Sequence, residues 1–360
     1  MAFSRRTFLA SALAAPLALE AGRAVGEESA ATGRAPAMRF KDGRFRILQV
    51  TDLHLGYNCA DGLKRAEQTL ENVRKLLVET KPDLAIVTGD IVWLDATAID
   101  GGFAEAWRRV CEPFEAAGVP FAITLGNHDH ERKVPAKAHY AEFSKSPLNM
   151  TRDVPELPGA GNCFIPILGS DGKEKRRVWL FDSHSYCRLS DNPRIHALSK
   201  VVSWEYDWIK PAQIAWYMSE SEKAEAENGA PVPSAAFFHI PTPEFWELHD
   251  KEGDAYKAKE GVIGIRGENP ASPRVNSGLV AAAIQRGDLE ALFVGHEHNN
   301  DYIGEYKGVV LAYGRKTGVE TYGDLPRGGR VIDFAEDKPG FETRIVIPGE
   351  APLFEYAFKR

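Results

Sequence analysis

Short, nearly unbroken apolar runs recur along the chain: FRILQV (45–50), LAIVT (84–88), FAITL (121–125), RVWLF (177–181), AAFFH (235–239), ALFVG (291–295), VVLAY (309–313), RVIDF (330–334) and TRIVI (343–347). Runs without an alternating polar position predict strands covered on both faces. Between them apolar residues return every three or four positions. Leu63, Ala66, Leu70, Val73 and Leu77 predict a helix that stops before Lys81-Pro82, and Phe103 to Ala116 a second that Pro113 could break. Pro211 to Glu227 and Ser277 to Gln285 predict two more. Segments 132–175 and 242–275 follow neither period and read as long irregular insertions, a kind of loop that often faces a substrate. The alternation predicts an α/β fold, and with no linker in the body residues 38–360 are expected to form a single domain.

The N-terminus departs from this pattern. Arg5 and Arg6 precede an apolar stretch from Phe8 to Leu19 and small residues up to Ala24, the organisation of a signal peptide over residues 1–24. That stretch is too short for a stable membrane span. SRRTFLA resembles a twin-arginine signal, with Ala10 where that pattern often has lysine. The resemblance implies export of a folded protein by the twin-arginine export machinery, to the periplasm or beyond, and a metal or cofactor loaded beforehand. Residues 25–37 read as a flexible leader.

Charge narrows the partners. The chain carries −7, and removal of three Arg and one Glu with the signal leaves −9. Binding nucleic acid through a basic surface is therefore excluded, whereas a small phosphorylated substrate is not, because bound cations can reverse the local field. Cys59, Cys111, Cys163 and Cys187 are scattered without a CxxC pair, so neither zinc-finger nor thiol-redox chemistry is indicated. Two bridges in any of three pairings, or buried thiols, remain open.

The chemistry gathers where apolar runs end. They lead into Asp52 and His54, Asp90, Asn127 and His128, His239, and His296 and His298. A Gly-Asp after a strand is usually a turn, and a lone histidine is usually a core residue. One site fed by five strand ends explains all of them together, since ligands of open α/β sheets collect beyond the carboxyl ends of strands. Asp52, His54, Asp90, Asn127, His239, His296 and His298 supply more donors than one ion takes, and suit two divalent metal ions with a shared carboxylate. Imidazole with carboxylate admits Mn, Fe, Zn, Ni or Co.

The blocks DLH (52–54), GD (89–90), GNHD (126–129), His239 and GHEH (295–298), in this order, resemble the calcineurin-like metallophosphoesterase superfamily. YDWIKPAQIAWY (206–217), FFHIPTPEF (237–245), NPASPRVNSG (269–278) and the stretch 295–323 are similar to its purple-acid-phosphatase-related branch. The resemblance implies a four-layer sandwich of two mixed β-sheets flanked by α-helices. It also implies that Asp52, His54 and His298 hold one metal, that Asn127, His239 and His296 hold the other, and that Asp90 bridges them. His128 would face the substrate and protonate the leaving oxygen while a metal-bridging hydroxide attacks phosphorus.

The purple enzymes carry tyrosine three residues after the Asp of the GD block, and here Trp93 stands there. Indole offers no phenolate, so ferric iron and the purple absorption are not expected. His184, Arg274 and Arg315 are the expected substrate contacts, the arginines because a guanidinium matches phosphate geometry. His130, His139, His196 and His249 read as structural or solvated. The expected activity is hydrolysis of phosphate esters, monoesters favoured over diesters. The rival from another class is a non-catalytic metal-binding protein.

Overall fold

The computed structural model describes residues 33–56, 62–93, 102–187 and 205–360. The signal segment, most of the leader, Cys59, His196 and Trp204 lie outside the described residues. Strands run in the order β1 (Met38–Arg39), β2 (Arg44–Val50), β3 (Leu84–Thr88), β4 (Phe121–Thr124), β5 (Cys163–Leu168), β6 (Glu174–Leu180), β7 (Tyr186–Cys187), β8 (Glu205–Tyr206) and β9 (Ser234–Phe237). They continue as β10 (His249–Glu252), β11 (Ala255–Ala258), β12 (Leu289–Val294), β13 (Ile303–Tyr306), β14 (Val309–Tyr313), β15 (Gly329–Ala335), β16 (Phe341–Val346) and β17 (Leu353–Phe358). The helices are α1 (Gly62–Thr80), α2 (Gly102–Ala117), α3 (Ala136–Phe143), α4 (Pro211–Asn228) and α5 (Leu279–Arg286).

Two mixed sheets organise these elements. One is ordered β1-β5-β6-β9-β12-β14-β13, the other β17-β16-β15-β2-β3-β4. Parallel pairing joins β6, β9, β12 and β14 in the first and β2, β3 and β4 in the second, while antiparallel strands flank both groups. Period-2 geometry then sorts the apolar runs into layers. Ile47, Ile86, Ala122 and Ile332 face Val178, Ala235, Phe293 and Val310 between the sheets. Their neighbours Leu48, Val50, Ala85 and Val87 pack against Val73, Trp107 and Phe114 of α1 and α2. Trp179, Ala236 and Leu292 cover the far face against Ile214, Tyr217, Leu279 and Val280 of α4 and α5. Four layers result, as the resemblance implied. Strands β3, β4, β9, β12 and β14 are buried along their whole length, which is why their runs are almost wholly apolar.

Three expectations change. α2 passes through Pro113 without a break, with the proline ring buried. Segment 132–175 is not one irregular insertion, since it contains α3 and β5. Pro166 hid that strand. A missing N–H is tolerated there because, among the described residues, β5 has only the two-residue β1, apart from an isolated bridge to Arg34, on its outer side. Segment 242–275 holds a 3₁₀ turn (Pro243–Leu248) and the β10–β11 ribbon, and only its second half is irregular. Among the described residues no helix is long and apolar enough to cross a membrane.

The sheets are joined just below the site. Gln49 Nε2 on β2 donates to Thr88 Oγ1 at 3.0 Å and to the carbonyl of Val294, at the end of β12, at 3.0 Å. At Gly295 the approach is so close that a Cβ would sit 2.1 Å from Thr51 Oγ1.

Candidate metal centre

Three of the strand ends, those of β2, β3 and β12, deliver their side chains by turning into left-handed backbone. Asp52 (φ 56°), His54 (φ 50°), Asp90 (φ 52°) and His296 (φ 81°) all adopt left-handed backbone, which costs a non-glycine residue and concentrates at functional sites. Surrounding hydrogen bonds enforce it. His54 N donates to the Asp90 carbonyl at 2.9 Å and Asp52 N to that of Gly89 at 3.1 Å. The Asp129 carboxylate accepts the amides of Ile91 and Val92 at 2.9 Å and Gly126 at 2.8 Å, tying the loops after β3 and β4 together.

Six of the seven expected metal ligands, all but Asn127, fall into two groups of neighbouring donors. Donor atoms of Asp52, His54 and His298 lie within 4.8 Å of one another, as do those of Asp90, His239 and His296. In the first group His298 Nε2 stands 3.4 Å from Asp52 Oδ1 and 3.1 Å from His54 Nε2. In the second His239 Nε2 stands 3.1 Å from Asp90 Oδ2 and 3.2 Å from His296 Nδ1. Asp90 Oδ2 is also 3.7 Å from His54 Nε2, so it lies between the groups, while its Oδ1 accepts the His128 amide at 2.8 Å. Asn127 gives its Nδ2 hydrogen to Tyr186 at 3.1 Å.

The donor set fits cations. Asp52, His54, Asp90, Asn127 and His239 are almost wholly removed from solvent, and among the described residues Asp52 Oδ1 and Asn127 Oδ1 have no hydrogen-bond partner. Buried lone pairs of this kind are expensive unless something positive accepts them. Burial alone would raise the Asp52 and Asp90 carboxyls, yet His298 and His239 respectively hold them well below the usual carboxylate range. Burial pushes His239 down, but facing Asp90 outweighs it and lifts the pKa to about 10. A metal would take that proton's place. His296 is driven by burial to about 3 and stays a neutral donor. His239 Nδ1 donates to the Thr88 carbonyl at 2.8 Å, which reserves Nε2 for the site.

His128 stands beside the donors. Its Nε2 is 3.8 Å from Asp90 Oδ2 and its Nδ1 3.0 Å from Glu131 Oε1. Burial lowers its pKa, but those two carboxylates prevail and raise it above the ordinary histidine value. Trp93 lies over the ring, tilted by 33°, with centroids 3.8 Å apart.

The expected substrate contacts fare differently. His184 Nε2 is bonded to Gln213 at 3.1 Å, which places the ring in the support of α4. Arg274 is exposed. Arg315 is 1% exposed, ion-paired with Asp301 and donating to the Pro326 carbonyl at 3.1 Å. Its charge is thereby engaged inside the frame, on Asp301. His130 lies 3.3 Å from Asp182, His139 is buried beside Phe103, and His249 packs on Tyr302. Sequence reasoning missed the aromatic lining. Tyr322 stacks on His298 at 4.1 Å, and Tyr206 meets His296 edge-on at 4.5 Å. It also missed buried Lys316. They lie inside stretches that resemble the family branch, Tyr206 in 206–217 and Lys316 and Tyr322 in 295–323, but no residue type or spacing there marked them as neighbours of the donors.

Fold and donor set together define a two-sheet phosphoesterase scaffold with sites for divalent metal ions. The calcineurin-like phosphoesterase family model matches residues 45–300, more than half of the sequence, and the chain belongs to this family. It is 31% identical over 341 residues to "Probable inactive purple acid phosphatase 29" of Arabidopsis thaliana, covering 84% of this chain and 80% of that protein. It is 28% identical to "Phosphatase DCR2" of Saccharomyces cerevisiae, over 77% of this chain and 48% of that one. The crystal structure of a dimetal phosphatase from Danio rerio superposes with TM-score 0.56 at 12% identity, over 88% of this chain and 98% of that one, a likeness of fold.

Proposed function

We propose that the protein is an exported phosphoesterase that uses two divalent metal ions and prefers phosphate monoesters. Asp52, His54 and His298 would hold one ion, Asn127, His239 and His296 the other, and Asp90 both. Such a pair supplies an activated water and neutralises charge at phosphorus. The chain's own residues do the rest. Asp90 and Glu131 keep His128 protonated, and His128 gives that proton to the leaving oxygen. Trp93 fixes its ring plane and, lacking a phenol oxygen, predicts no purple absorption with iron bound.

The single observation that carries the catalytic reading is the placement of His128. The name "Probable inactive" of the plant relative favours a metal-binding protein without activity, and in that case a second carboxylate on His128 has no purpose. Hydrolysis of p-nitrophenyl phosphate and its bis-ester, with and without Mn²⁺, separates the readings. Wild type should cleave the monoester faster, and His128→Ala should keep both metals while losing about 10²–10⁴ in rate. Fully metallated protein that cleaves neither ester would defeat the enzyme reading, and preference for the bis-ester would reverse the choice of substrate.

Export by the twin-arginine route rests on Ser4 to Leu9. Replacing Arg5 and Arg6 together by lysine should retain the precursor inside the cell. Unchanged export of that variant would refute the route.

A further inference from the structure

We propose that Lys316 is a positioning residue that supports His298 from behind and sets the affinity of one of the two metal sites. This inference rests on the two-metal reading above. Lys316 is 0% exposed. Lysine is almost never so completely buried unless its ammonium is engaged. Its Nζ reaches the carbonyls of Glu320 at 2.6 Å and Tyr322 at 2.8 Å, and also Thr321 Oγ1. Three N–H groups thus meet three oxygens of one short loop.

That loop is wrapped around His298. The Tyr322 carbonyl stands 3.0 Å and Lys316 Nζ 2.9 Å from His298 Nδ1, so that nitrogen is taken up by the loop while Nε2, 3.1 Å from His54 Nε2 and 3.4 Å from Asp52 Oδ1, faces the site. The Tyr322 ring covers the imidazole at 4.1 Å, and a Cβ on Gly323 would lie 3.0 Å from His298 Cβ. Within the loop Thr321 has φ 63°, a conformation that must be imposed by its surroundings. Lys316 Nζ, 2.9 Å from His298 Nδ1, is the hub that imposes it. The hub is itself fixed, because the Lys316 carbonyl accepts the Gly328 amide at 3.1 Å and Thr317 N donates to Thr51 at 3.0 Å.

The two sites differ in this respect. His239 is oriented by the Thr88 carbonyl, which belongs to central strand β3 and needs no further support. His298 is oriented by a loop carbonyl that would drift without Lys316. Losing the hub should therefore weaken one site and spare the other.

The test is a calorimetric Zn²⁺ titration of metal-stripped full-length wild type, Lys316→Met and Lys316→Gln, with thermal melts in excess metal as a check of folding. Lys316→Met should weaken one of two Zn²⁺ equivalents by about 10–100-fold, the usual cost of losing such an outer support, and leave the other within about threefold. Lys316→Gln, which keeps a donor, should fall between Met and wild type and covers the case in which the Met variant does not fold. Unchanged affinities, or equal weakening of both equivalents in the Gln variant, would overturn the assignment. Wild type that binds fewer than two Zn²⁺ would overturn the two-metal reading instead, and this inference with it.

Discussion

Gly295→Ala is the sharpest probe of how the sheets are held at the site. An added Cβ would sit 2.1 Å from Thr51 Oγ1, 2.9 Å from the Thr88 carbonyl and 3.0 Å from Asp52 Oδ2. Backbone and hydroxyl must give way. Overpacking of this kind costs about 1–3 kcal/mol. The displaced Thr51 hydroxyl faces both Asp52 Oδ2 and the Thr88 carbonyl at 2.8 Å. With a single proton it serves one acceptor at a time, so its loss adds about 1–2 kcal/mol. The expected total is about 3 kcal/mol. Thr51→Ala alone should cost about 1–2 kcal/mol, and in its background Gly295→Ala should become cheaper by about 1 kcal/mol or more, because the worst contact has gone. Rescue stays partial, since the Thr88 carbonyl does not move aside. Urea unfolding of the four proteins in excess chelator measures this without metal linkage. Strict additivity of the two substitutions, or a Gly295→Ala cost below about 0.5 kcal/mol, would refute the close approach.

Three further outcomes follow. His296→Ala and His298→Ala should deplete different ions, read as metal content after limited dialysis; loss of the same ion from both would undo the assignment. Removing metal should lower stability by about 2.7 kcal/mol for each ion formerly present at a hundred times its dissociation constant, seen as a lower melting temperature in chelator. Burial raises the Cys111 and Cys163 thiols to about 12, the latter despite the Arg152 amide, so thiolate is scarce at pH 8. In a Cys59→Ser, Cys187→Ser background a disulfide reagent should leave both unmodified until denaturant is added, and rapid native labelling would contradict their burial.

The central strands were legible because burial on both faces writes an unmistakable apolar run. The donors were legible for a related reason. A buried strand has no use for Asp52, Asp90 or His239 at its tip, and their shared position beyond five strand ends left one explanation. Strand β5 was not legible, because Pro166 is acceptable only where the neighbouring strand is short, and that is a fact of pairing. The role of Arg315 was not legible either. Its ion pair with Asp301 depends on β14 and the loop after β12 meeting in space.

By itself, the sequence determined the residue types that can bind cations, their order along the chain, and the alternation that builds an α/β fold. Only the tertiary structure decided which donors face one another, that Asp90 lies between the two groups, that His128 is held between Asp90 and Glu131, and that Lys316 stands behind His298. The reason is one of range. Periodicity and strand-end chemistry are local and are written in neighbouring residues. A hydrogen bond such as that of His239 to Thr88, 151 residues apart, exists only once two sheets have packed.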